Sequence, residues 1–157
     1  MVTVARAVRA LKTDAQVVGN VGLYYVCYKL SLLGWNVMPT ARNARGVDII
    51  CYDKDARNYI GIQVKTLSKR NAVPLGVSVD RLMGDFWVVV NQVATAPQAF
   101  ILTPDEVKAG AHGTKSGKQS YWLECKDYEL DGFREAWGRI GTGHPSSELP
   151  AIASLET

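Results

Sequence analysis

An aspartate at 48, a glutamine at 63 and a lysine at 65 are the residues of this chain whose types and spacing suit chemistry. A carboxylate and an amide offer hard oxygen atoms, and a lysine offers an ammonium group. Their use depends on whether the fold brings them together. Gly46-Val-Asp-Ile-Ile-Cys-Tyr-Asp53 and Tyr59-Ile-Gly-Ile-Gln-Val-Lys-Thr66 are rich in Val, Ile and Tyr, and the polar run from Asp53 to Asn58 separates them. That pattern predicts two antiparallel strands joined by a turn. A turn centred between Ala56 and Arg57 sets Asp48 opposite Lys65 and Ile50 opposite Gln63. Strand side chains alternate with period two, so Asp48, Gln63 and Lys65 then project from one face. A one-residue slip would break the grouping. Asp48 and Lys65 also read as a simple cross-strand ion pair on a half-exposed sheet, worth at most about 1 kcal/mol.

An acid on one strand, followed about fifteen residues later by an acid or amide, one spacer and a lysine, resembles the PD-(D/E)XK nuclease superfamily. The resemblance spans roughly Gly19 to Ile140. Gly19 to Val26 and Leu32 to Thr40 look like the opening helix and first strand of small single-domain members, and Asp85 to Asn91, Ala99 to Val107 and Phe133 to Trp137 like their later strands and closing helix. It implies an α/β, restriction-endonuclease-like fold, a central mixed β-sheet flanked by helices. It also implies a metal-dependent endonuclease hydrolysing DNA, of restriction, repair or junction-processing type. On this resemblance Asp48 and Gln63 hold Mg²⁺ or Mn²⁺, the backbone carbonyl of Val64 is a third ligand, and Lys65 orients and activates the attacking water. Asp48, Gln63 and Lys65 are thus the catalytic set. Gln63 departs from the usual glutamate, a variant shared by the nuclease domains of methylation-dependent restriction enzymes. Many relatives carry a further glutamate on the first helix near the position of Leu23, whereas no acid follows Asp14 here. With one anionic protein ligand, weak metal binding in the absence of substrate is expected. The alternative is a catalytically degenerate member of the fold that binds DNA or serves as a protein-interaction subunit.

The chain of 157 residues suits one domain with a real core, and 47% hydrophobic against 21% charged residues is an ordinary globular balance. Eighteen basic against 15 acidic residues leave only +3, so any DNA binding must come from local placement of charge. Arg42 and Arg45, just before Asp48, and Lys69 and Arg70, just after the Lys65 strand, are the candidate phosphate contacts. Each also reads as a solvated loop residue. Arg6, Arg9 and Lys12 recur every third residue, as a solvated first turn or a phosphate-contacting arm. Cys27, Cys51 and Cys125 are few, odd in number and scattered, which fits reduced thiols in a cytoplasmic protein. No apolar run approaches the ~20 residues of a membrane helix, so no membrane partner is expected.

The divisions read from the sequence are a basic segment 1–13, the nuclease-like domain 14–140 and a flexible tail 141–157. Asp14 caps a helix that runs to about Leu33 and ends at Gly34. Its residues leave almost no polar face, which predicts burial on most sides, by the sheet or by a second subunit in a homodimer. Trp35 to Thr40 reads as an edge strand ending near Pro39, and Val73 to Gly76 as a loop. Phe86 to Val93 reads as a central strand buried on both faces, Gln98 to Leu102 as its neighbour, and Thr103-Pro-Asp-Glu106 as a helix start. Ala109 to Lys118 is glycine-rich without a strand-then-helix context, so it reads as a mobile loop rather than a nucleotide-binding one: a solvent-exposed hairpin tip in the first place, or else a loop that closes over a nucleic-acid strand through Lys115 and Lys118. His112 receives no role. Ser120 to Cys125 reads as the last strand, and Asp131 to Ile140 as a closing helix.

Overall fold

The computed structural model describes residues 14–41 and 45–145. The basic segment 1–13, Arg42 and residues 146–157 of the expected tail lie outside the described residues.

Helix α1 (Ala15–Leu32) begins where the Asp14 carboxylate accepts the N–H of Gln16 at 2.9 Å and of Val17 at 3.1 Å. Gly34, with φ +80°, turns the chain out of it. Val18, Gly22, Val26 and Leu30 recur every fourth residue and form its buried face. The sheet covers only this face and does not bury the helix on most sides, because Tyr24 and Tyr28 are 65% and 55% exposed and Val17 is exposed beside them. Tyrosine counts as apolar in a helical pattern, yet its hydroxyl is content in water.

Strands β1 (Asn36–Pro39), β2 (Ile49–Tyr52) and β3 (Tyr59–Thr66) follow α1, then β4 (Val73–Gly76), β5 (Phe86–Asn91) and β6 (Gln98–Leu102). The chain continues through α2 (Pro104–Gly110), β7 (Ala111–Gly113), β8 (Tyr121–Leu123) and the single turn α3 (Cys125–Tyr128). Five strands form one mixed sheet in the order β1-β2-β3-β5-β6, in which β3 and β5 run parallel and the other pairs antiparallel. β1 is an edge, which suits Pro39. β5 is buried on both faces: Val88 and Val90 meet the α1 side, while Trp87 and Val89 meet the other. That second face is covered by α2, α3 and a small sheet in the order β4-β8-β7, so the expected Val73 to Gly76 loop is a strand. Thr103 and Glu106 close a capping box at the start of α2. The β7–β8 hairpin carries the glycine-rich tip, and His112 Nε2 lies 2.7 Å from Asp127 Oδ2 and stacks on Trp122 at its base.

The closing helix expected over Asp131 to Ile140 does not form. Ile101 N–H donates to the Phe133 carbonyl at 2.9 Å and Glu135 N–H to the Ala99 carbonyl at 2.8 Å, so this segment serves the free edge of β6. Glu135 sits at φ +47°, and only a 3₁₀ turn at Trp137–Arg139 is helical. The first residues of the expected tail are tied down as well. Gly143 N–H donates to the Leu33 carbonyl at 2.9 Å, Lys54 N–H donates to the Gly143 carbonyl at 2.9 Å, and the Trp35 indole donates to Gly141 at 3.1 Å. Cys27, Cys51 and Cys125 are free thiols, and burial, with Cys27 close by, pushes the Cys51 thiol up to about 12. Among the described residues no helix is long and apolar enough to cross a membrane.

Candidate active site

The β2–β3 hairpin exists, but its turn is centred one residue earlier than the sequence predicts. The Asp53 carboxylate accepts the N–H of Arg57 at 2.8 Å and of Asn58 at 3.2 Å, and Ala56 takes φ +54°. Ile50 therefore lies opposite Gly61 rather than Gln63. The Asp48 N–H bonds to the Ile62 carbonyl at 2.9 Å, which brings Asp48 level with Ile62 and Gln63, not Lys65.

This shift decides what Asp48 touches. Its Oδ2 accepts the Val64 N–H at 2.7 Å and the side-chain amide of Gln63. A backbone N–H lies in the plane of its sheet, so the carboxylate sits in that plane, in the gap where β2 and β3 diverge. The N–H and C=O of one strand residue point to the same side, so the Val64 carbonyl faces the same gap. On the α1 side the gap opens into a cavity of about 260 Å³ lined by Asp48, Val64, Thr66, Thr40, Asn20 and Leu23, among others. Gly22 allows this close approach, for a Cβ there would stand 1.9 Å from Thr66 Oγ1.

Gln63 and Lys65 share a face, and it is the face away from α1: in the parallel ladder Gln63 stands beside Trp87 and Lys65 beside Val89. Lys65 Nζ lies 5.3 Å from the centre of the Trp87 ring. Burial pushes the Lys65 ammonium below its usual pKa, and the negative charge of Asp48 opposes that without cancelling it. The cross-strand ion pair is not formed. Asp48 pairs with Gln63 and Val64, and Lys65 rests on an indole.

The expected phosphate contacts separate. Arg45 is exposed and borders a groove of about 640 Å³ with Arg81, and Lys69 is exposed on the turn after β3. Arg70 is engaged elsewhere: its Nε donates to both Glu129 oxygens at 2.9 and 3.0 Å, and the buried Asn91 amide holds the same carboxylate at 2.7 Å. Sequence reasoning missed Asn20, Thr40, Thr66, Trp87 and Arg81. Asn20 alone carried a signal, as a polar residue inside an otherwise apolar helical run.

Among the described residues no cluster of three or more His, Cys, Asp or Glu side chains gathers as a metal cage. Both hydrogen bonds to the Asp48 carboxylate fall on Oδ2. Gln63 presents its amide nitrogen to that oxygen, and a half-turn of the amide would present its oxygen instead. One carboxylate with neutral oxygens fits a hard cation shared with a phosphate, not a site that binds metal tightly alone.

No protein-family model matches the sequence, and no curated protein matches it. Among solved structures, the bacterial homing endonuclease I-Ssp6803I is similar, with a TM-score of 0.53 over 81% of this chain and 91% of that one, at 17% identity. The likeness is one of fold.

Proposed function

We propose that the chain is a metal-dependent DNA endonuclease of the PD-(D/E)XK type, with a Gln-x-Lys variant of the motif. The observation that carries this reading is Asp48 held in the gap between diverging strands by Val64 and Gln63, with Lys65 two residues on. The fold shared with a homing endonuclease supports it. Asp48, the Gln63 amide and the Val64 carbonyl are the groups that would hold Mg²⁺ or Mn²⁺. Such an ion supplies Lewis acidity to the scissile phosphate and lowers the pKa of water. Asp48 anchors the anionic edge of the site and Gln63 orients against it. Lys65, on a flexible four-carbon stem and partly stripped of water, directs its ammonium toward the attacking water and the charge that develops on the phosphate. Arg45 and Lys69 add phosphate attraction.

A degenerate DNA-binding relative is favoured over catalysis by one feature, the single carboxylate of the site. Incubation with supercoiled, linear, single-stranded and branched DNA in Mg²⁺ or Mn²⁺ separates the two. The expected result is cleavage that EDTA abolishes and that Lys65→Ala lowers about 10²–10³-fold, the loss typical of one charge-stabilising group. A wild type that shifts DNA without cutting it establishes the degenerate reading.

A further inference from the structure

We propose that the groove between Arg45 and Arg81 is a docking surface for duplex DNA, which seats a phosphate backbone of the duplex between the two arginines. The inference rests on the nuclease reading and adds to it the form of nucleic acid bound and a contact, Arg81, outside the basic turns.

The groove belongs to the candidate site by a chain of contacts. Arg45 lies three residues before Asp48, and Gly46, at φ +76°, packs so closely on Met83 that a Cβ there would stand 2.5 Å from the sulfur. The Met83 carbonyl accepts the Trp87 indole N–H at 2.9 Å, and that indole carries the Lys65 ammonium. Asp85 then fixes the end of the segment to β3: its N–H donates to the Gly61 carbonyl and its carboxylate accepts the Gly61 N–H, both at 2.7 Å. Met83 and Trp87 thus link the groove to the face that holds Gln63 and Lys65.

Charge and shape select the polymer. Arg45 and Arg81 are exposed, and among the described residues no carboxylate engages either one. The acid of the groove, Asp80, is turned to Lys108 at 3.4 Å. Two unneutralised guanidinium groups are phosphate contacts in waiting. Val77 is 66% and Met83 45% exposed, an aliphatic and a thioether left in water between two arginines. They line a recess, and a recess flanked by arginines suits the ridge of one phosphate backbone of a duplex. Single strands are gripped by aromatic platforms, and among the described residues no aromatic side chain lines this groove.

The test is fluorescence anisotropy of the full chain on a labelled 30-base-pair DNA duplex in EDTA between 50 and 200 mM KCl. Wild type, Arg45→Ala, Arg81→Ala, the double variant and Arg70→Ala are compared, with single-stranded DNA and an RNA duplex as competitors. Each phosphate contact contributes about 0.9 to the salt slope. Arg45→Ala and Arg81→Ala should each lose about 3.5-fold less affinity than wild type over that fourfold salt range, and the double variant about 12-fold less. Arg70→Ala, whose guanidinium is occupied by Glu129, should keep the wild-type slope. Both arginines are exposed, so unchanged melting curves certify the fold. Duplex binding with a slope indifferent to Arg45 and Arg81 overturns the docking surface and leaves the nuclease reading standing. Tighter binding of single strands or RNA overturns the choice of duplex DNA. A chain that neither binds nor cuts any nucleic acid removes both.

Discussion

Replacing Gly22 by alanine sets two effects of opposite sign against each other, and the structure says which wins. In the middle of α1, alanine improves on glycine by about 0.8–1.0 kcal/mol of helix propensity. The new Cβ, however, would stand 1.9 Å from Thr66 Oγ1, 2.5 Å from Cγ2 and 2.7 Å from Cβ. Rotating Thr66 moves the first two atoms but not its Cβ, so helix and strand must separate. Overpacking of this kind costs about 1–3 kcal/mol, and here the upper end applies because a strand Cβ blocks the way. The net is a loss of about 2 kcal/mol, or a fall in Tm of about 4–8 °C for a chain of this length. Circular dichroism melts of wild type, Gly22→Ala, Thr66→Ala and the double variant form a double-mutant cycle. Thr66→Ala removes two of the three clashing atoms, so the cycle should show favourable coupling of at least about 0.5 kcal/mol. Because α1 brings Asn20 and Leu23 to the Asp48 cavity, Gly22→Ala should also lower cleavage. A rise in Tm, as propensity alone dictates, or strict additivity would refute the close packing of α1 on Thr66 and with it the cavity.

Two further outcomes follow from the geometry. Burial depresses the Lys65 pKa, so between that lowered value and its ordinary value near 10.5 the folded chain binds fewer protons than the unfolded one. Stability contributed by Lys65 therefore rises with pH through that window and is lowest at neutral pH. Tm of Lys65→Met minus Tm of wild type should accordingly be largest near pH 7 and shrink as the pH approaches 10.5; a difference independent of pH would contradict the desolvation. Gly143→Ala places a Cβ 2.5 Å from the Gly34 carbonyl oxygen and 2.7 Å from Trp35 Cα, backbone atoms that cannot rotate aside. It should break the hydrogen bonds of Gly143 with Leu33 and Lys54, each worth about 1 kcal/mol, and lower Tm by several degrees. An unchanged melt would show that 141–145 is the loose tail the sequence suggests.

Elements whose cause is local were legible. Asp14 and Gly34 bound α1, Thr103-Pro-Asp-Glu106 opens α2, and the valines of β5 declare burial on both faces. The hairpin was legible as a hairpin, and the common face of Gln63 and Lys65 with it, because alternation along one strand needs no partner. Its register was not, since the Asp53 side chain closes the turn in a way that strand patterns do not encode. The segment from Asp131 has a helix-like spacing of Phe133, Trp137 and Ile140, yet the unpaired edge of β6 captures its backbone. The strand β4 is four residues with a proline, and it takes its conformation from β8, far along the chain.

The sequence by itself singled out Asp48, Gln63 and Lys65 and put them on a hairpin, because residue type and strand period are local properties. Tertiary structure alone decided who faces whom. It set Asp48 against Gln63 and Val64 instead of Lys65, drew Lys65 onto Trp87, assigned Arg70 to Glu129 and brought Arg81 beside Arg45. The first follows from the turn that Asp53 closes within the hairpin; the others join segments farther apart in the chain, and their geometry depends on how the layers pack rather than on neighbouring residues.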